Sequence, residues 1–181
     1  NLLLPTLAAL SATSSLHAAP SLEDYAAPPE IRNASLSGDG TKIAWIRSDG
    51  ERELLCSYEL SLKAQTCYAE VTDLKPRSLY FAGKDHVILR TSARTLETDY
   101  FINEFEFTAA FSVDLATGAI EQLPQRLDDV MPQGLGRVIG VHEDGDKVFM
   151  PAFTQRGRTF TYDIYEVRTN SGSGRQIMRG T

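Results

Sequence analysis

Positive charge is in short supply in this sequence. Eighteen Lys and Arg stand against 24 Asp and Glu, giving a net charge of -6. A nucleic-acid surface needs a Lys/Arg excess on one face, so that class of partner is excluded. Histidine is scarcer still, with three copies in 181 residues. His17, His86 and His142 form no i, i+4 pair and no Cys/His cluster of the zinc-binding kind. There is no Gly-rich phosphate loop, and no amphipathic or apolar membrane helix follows residue 20. No segment sustains a long 3.6-residue period. Thr95 to Phe107 comes nearest, and its aromatics also alternate along a strand, so it reads as a loop leading into a strand.

The first twenty residues differ from the rest. Leu2 to Leu10 (LLLPTLAAL) is uncharged and apolar, and Ser11 to Pro20 (SATSSLHAAP) is small and polar. That order matches the apolar and cleavage regions of a secretory signal peptide. Residues 1–19 are therefore expected to be a signal peptide, and 20–30, with Pro28 and Pro29, a linker. With no Met or basic segment ahead of the run, the sequence is expected to start inside a longer one. Export places the protein in the periplasm or outside the cell, where Cys56 and Cys67 meet oxidising conditions. Asn33-Ala34-Ser35 is a glycosylation sequon that matters only in a eukaryotic secretory pathway.

What fills the remainder is short apolar runs separated by turn residues. Gly38-Asp39-Gly40, Asp49-Gly50, Gly83-Lys84-Asp85, Thr117-Gly118 and Asp144-Gly145-Asp146 punctuate runs containing Trp45, Phe81, Val87, Ile88, Val148 and Phe149. Frequent turns between short strands imply an all-β fold. The runs also repeat. Tyr58 to Gln65 aligns with Phe111 to Gly118 and with Tyr165 to Gly172, at offsets of 53 and 54 residues. Upstream of each lies a second hairpin pattern: Ala34 to Ile46, Ser78 to Leu89 and Val138 to Met150. Two hairpins per period make about four strands, which is what a propeller blade requires. The expected architecture is a partial β-propeller over residues 31–181, with blades at about 31–73, 74–126 and 134–181. Val87-Ile88-Leu89 and Val148-Phe149-Met150 read as strands buried on both sides. Propellers close with 4 to 8 blades, so further blades are expected beyond residue 181.

The motifs carry a resemblance. Leu36 to Trp45 (LSGDGTKIAW) resembles a blade signature of prolyl-oligopeptidase-type serine peptidases, the S9 family, with Gly38 where Pro is usual. The same signature occurs in TolB-like periplasmic propellers. Asp114 to Gly118 (DLATG) resembles the outer hairpin of such blades. The resemblance implies a propeller that gates peptide access to an α/β-hydrolase domain of the same chain, which becomes its partner together with the missing blades and a peptide substrate. A TolB-like protein-binding module is the alternative. Neither nucleic acid nor, after signal removal, a membrane is implied. Nothing resembles the paired-Glu helix of dipeptidyl-peptidase members.

No residue is assigned to catalysis, to a cofactor or to a metal. A hydrolase nucleophile needs a Gly-x-Ser-x-Gly elbow. Ser171-Gly172-Ser173-Gly174 comes nearest, and it falls on an expected hairpin turn. His86 and His142 read as packing or surface residues. Asp128-Asp129 and Glu104/Glu106 read as solvated loop carboxylates, and Arg156-Gly157-Arg158 as an exposed hairpin tip. With the hairpin turn placed near Lys63 to Gln65, Cys67 should face a residue near Ser61. Cys56 then lies beyond the roughly 7 Å Cα separation a disulfide allows, so both thiols are expected to be free and packed.

Overall fold

The computed structural model describes residues 19, 21–27, 29–95, 105–125, 127 and 129–180. The stretch read as a linker carries one short helix, α1 (Leu22–Ala26), started by a Ser21–Asp24 capping box. The rest is antiparallel sheet. Strands β1 (Ile31–Leu36), β2 (Lys42–Ser48), β3 (Glu53–Glu59) and β4 (Ala64–Glu70) pair in chain order as a four-stranded blade. Strands β5 (Lys75–Ala82), β6 (His86–Thr95), β7 (Phe105–Asp114) and β8 (Ile120–Leu123) repeat the arrangement. The third unit has a divided inner strand. Both β9 (Val130–Leu135) and β10 (Gly140–Val141) pair with β11 (Lys147–Arg156), which is followed by β12 (Thr159–Arg168) and β13 (Gly174–Met178). Two parallel bridges, Thr108 to Gly134 and Gln125 to Ser173, join the second and third units. The chain is a partial β-propeller of three four-stranded antiparallel blades. Of the segment read as a loop, Thr95 ends β6, Phe105 to Phe107 open β7, and 96–104 lie outside the described residues.

The repeat is visible in the backbone bonding. In each blade the first hairpin turn accepts a hydrogen bond from the second: Leu60 N–H to Thr41 O (3.0 Å), Leu115 to Asp85 (2.7 Å) and Thr169 to Asp146 (2.9 Å). Two apolar layers lie between the blades. Ala44, Ile46 and Leu55 of blade 1 meet Phe81, Val87 and Leu89 of blade 2. Ile88 and Ala110, on the opposite face of blade 2, meet Val148, Met150 and Val167 of blade 3. Strand β6 is thus buried on both sides, with Val87 and Leu89 in one layer and Ile88 in the other, which is why its sequence does not alternate. In β11 only one side is covered. Val148 and Met150 are buried, whereas Phe149 is half-buried.

The cysteine expectation is overturned. Cys56 and Cys67 form a disulfide, with their Cα atoms 4.0 Å apart. The hairpin turn spans 60–63, because Lys63 adopts a positive φ of 48°, the role that Gly118 (76°) and Gly172 (63°) play in the other blades. The strands therefore resume at Ala64 opposite Glu59, and Cys67 pairs directly with Cys56. Glu59 matches Asp114, an offset of 55 residues and not 53. At an offset of 55 the two cysteines face each other, whereas an offset of 53 separates them along the strands.

Candidate functional site

The strands present two unlike ends. At one end lie the tight turns with Gly40, Gly83 and Gly145. At the other lie the starts of the inner strands β1 and β5, the end of β6 and the start of β7. Each blade sets an Arg–carboxylate pair at this second, open end. In blades 1 and 2 the inner strand supplies the Arg and the third strand the Glu: Arg32 Nη2 binds Glu53, and Arg77 Nη2 binds Glu106. Arg77 also donates from Nε to Ser92 Oγ (2.6 Å), and that hydroxyl donates to Glu106 Oε1 (2.7 Å). The Ser92 bond, then the Arg77 bond, hold the Glu106 carboxyl below its ordinary value. Between blades 1 and 2, Arg32, Glu53 and Arg77 border a cleft of about 320 Å³, completed by Thr72, Leu74, Lys75 and Pro76.

Blade 3 has the most enclosed pair. Asp163 is fully buried. It accepts from Arg156 Nη1 (2.9 Å), Gln176 Nε2 (3.0 Å) and the Gly180 N–H (2.9 Å). Burial alone would push its carboxyl up. The Arg156 and Gly180 bonds outweigh that and lower it from 3.8 to about 2. A depressed carboxylate stabilises the fold fully above its unfolded value, and that contribution is lost as pH falls through the folded value. Asp163→Asn should therefore destabilise the protein at neutral pH by roughly 1–3 kcal/mol, because the donors around the site lose their anion. Its urea midpoint should also change less than that of the wild type between about pH 4 and pH 2. Parallel acid slopes for the two proteins would remove Asp163 from this role.

Among the described residues, those singled out in the sequence do not gather into one site, and only Asp129 and Arg156 meet across separate segments. Ser171 and Ser173 bond one another (2.9 Å) across the β12–β13 turn, at the end opposite the cleft. His86 opens β6. His142 lies 3.5 Å from Asp144 and 3.3 Å from Asp146, and the ligating atoms of the three lie within 4.8 Å of one another, a set able to reach a metal ion. These three occupy the positions of Ser37, Asp39 and Thr41 in blade 1. There Asp39 closes the same turn by accepting from Ser37 Oγ (2.7 Å) and Thr41 N–H (3.1 Å), so the set follows the turn pattern of the repeat. Glu104 and Asp128 lie outside the described residues. Asp129 lies 3.5 Å from Arg156. The Arg156 side chain turns back to Asp163, whereas Arg158 is exposed, so only half of that tip is a free loop charge. Asn33 has a positive φ of 51°, and its amide donates to Pro76 O (3.2 Å) across the blade contact, which engages the nitrogen that glycosylation would need. Sequence reading missed Arg32, Glu53, Lys75, Arg77 and Asp163. Lys75-Pro76-Arg77, two cations together in a chain short of them, was the available signal.

The sequence matches no protein-family profile and no curated protein sequence. Solved structures do match. The orthorhombic form of Pyrococcus horikoshii acylaminoacyl peptidase superposes with a TM-score of 0.58 at 16% identity, over 84% of this chain and 25% of that one. An acylaminoacyl peptidase in complex with Z-Gly-Gly-Phe-chloromethyl ketone gives 0.56 at 16% identity, over the same shares. An oligogalacturonate lyase in complex with manganese gives 0.54 at 12% identity, over 84% of this chain and 43% of that one. The chain spans about a quarter of the length of the two peptidases. The likeness is to the propeller portions of S9-family peptidases, and it is a likeness of fold. No helix among the described residues is long and apolar enough to cross a membrane.

Proposed function

We propose that these residues are the propeller portion of an exported serine peptidase, and that the propeller restricts peptide access to a hydrolase domain of the same protein. One observation carries the reading: the three-blade order superposes on a quarter of each of two acylaminoacyl peptidases while covering 84% of this chain. The Cys56–Cys67 disulfide supports the exported part, since such bonds persist in oxidising compartments. The work of the propeller is then steric and binding, and the nucleophile, base and oxyanion donors belong to the companion domain. A second reading, a periplasmic protein-binding propeller, draws support from the open-end cleft, which offers binding groups.

The test uses the full gene product. A fluorophosphonate probe should label a serine in a Gly-x-Ser-x-Gly elbow outside residues 31–181. Deleting those residues should let the labelled domain cleave folded proteins that the whole enzyme spares. A full-length product that neither contains the elbow nor reacts with the probe would overturn the peptidase reading in favour of the binding module.

A further inference from the structure

The cleft between blades 1 and 2 concentrates the charge that the chain otherwise lacks. Arg32, Lys75 and Arg77 line it against one carboxylate, Glu53, in a chain of net charge -6. Its hydrogen-bonding groups are unbalanced in the same direction. Arg32 gives Nη2 to Glu53, yet its Nε is shielded from solvent and has no acceptor. Lys75 is exposed and has no ion pair among the described residues. The Thr72 hydroxyl is already committed, donating to Glu70 (2.8 Å) and accepting from the Glu53 N–H (3.1 Å). Donors thus outnumber acceptors. Leu74 and Pro76 supply apolar wall beside the cations, as small-ligand sites commonly do.

We propose that this cleft binds a carboxylate group carried by a peptide. Guanidinium and ammonium donors converging on one small space favour an anion, and charge-assisted bonds to them are roughly twice as strong as neutral ones. The ion pairs with Glu53 and Glu106 already neutralise two of the three cations, which leaves charge for a single negative group and not for a dianion. A volume of about 320 Å³ suits one residue and its backbone, at the small end of ligand sites. That a peptide bears the carboxylate rests on the function proposed above; the preference for a carboxylate does not.

Calorimetric titration of the full gene product tests this with three capped glutamate derivatives. N-acetylglutamate amide carries a side-chain carboxylate, N-acetylglutamine a terminal one, and N-acetylglutamine amide neither. One or both carboxylates should bind, with affinity that falls as salt rises, and the uncharged compound should not. The stronger of the two identifies which carboxylate the cleft reads. Lys75→Gln, an exposed change that leaves the fold intact, should weaken binding roughly tenfold, the cost of one charge-assisted bond. Lys84→Gln removes the same charge at the opposite end of the blades and should leave binding unchanged. Equal binding of the uncharged compound, tighter binding of inorganic phosphate than of either carboxylate, or indifference to Lys75→Gln overturns the proposal. Because the titration reads binding alone, its failure leaves the probe-labelling result standing, and the reverse holds too.

Discussion

Gly145→Ala should cost the protein about 2–5 kcal/mol, while the same change at Gly157 should cost about 1 kcal/mol. Both glycines have a positive φ, 73° and 62°, so an added Cβ is strained at either site. What separates them is space. Nothing lies within 4 Å of a Cβ at Gly157, whereas one at Gly145 would run into the Cα and N of Gly83. Gly83 also has a positive φ, 65°, and a Cβ there would lie 3.0 Å from the Gly145 Cα. Two glycines back to back thus let the β5–β6 turn of blade 2 touch the β10–β11 turn of blade 3. Backbone cannot yield as a flexible side chain can. The Ala must therefore separate the turns and loosen the layer containing Ile88, Val148 and Met150 beneath them. Blade proteins gain much of their stability from such neighbour interfaces. Urea unfolding of both variants decides it. Equal losses at the two positions would mean that the blades do not meet at these glycines.

The blades were legible in the sequence because their strands advertise themselves locally. The continuous run Val87-Ile88-Leu89 needs cover on both faces, and the structure supplies one blade on each. The turn residues of the first hairpins were legible for the same reason, since Gly40, Gly83 and Gly145 all take the backbone region that glycine favours. Lys63 breaks that rule. A non-glycine residue in the left-handed region left no mark in the sequence, so the outer hairpin of blade 1 was aligned two residues out. In a strand pairing, such a slip changes every partner. The open-end cleft was illegible for another reason. Arg32 and Arg77 are 45 positions apart in the chain, and their partners Glu53 and Glu106 are 21 and 29 residues away from them. None of these spacings matches a local motif. Only the stacking of blade 1 on blade 2 brings the four residues to one end. Lys42 and Asp85, which bond at 2.9 Å between the same two blades, were hidden by the same kind of distance.

Removing the Cys56–Cys67 bond should lower stability by about 3 kcal/mol, from the closure entropy of a loop this short. The bond joins β3 to β4, the edge strand of blade 1, in which Ala64 to Cys67 are exposed. An exposed edge strand has few burial contacts of its own to hold it, and it offers unpaired backbone to other chains. Cutting the tie should therefore loosen β4 first. The fold has a built-in reporter for this. Trp45, the only tryptophan, pairs with Cys56 on β2, so Trp45, Cys56 and Cys67 lie in one row across three strands. A disulfide quenches a neighbouring indole, and reduction should brighten the emission before the protein unfolds. Thiol titration of denatured, unreduced protein should find no free thiol, and two after reduction. The Cys56→Ser/Cys67→Ser double variant should melt roughly 6–12 °C lower than the wild type, by the usual conversion for a domain of this size. It should also be indifferent to reductant. Two reactive thiols in the untreated protein, or a double variant as stable as the wild type, would remove the bond from the fold and with it the structural support for an oxidising compartment.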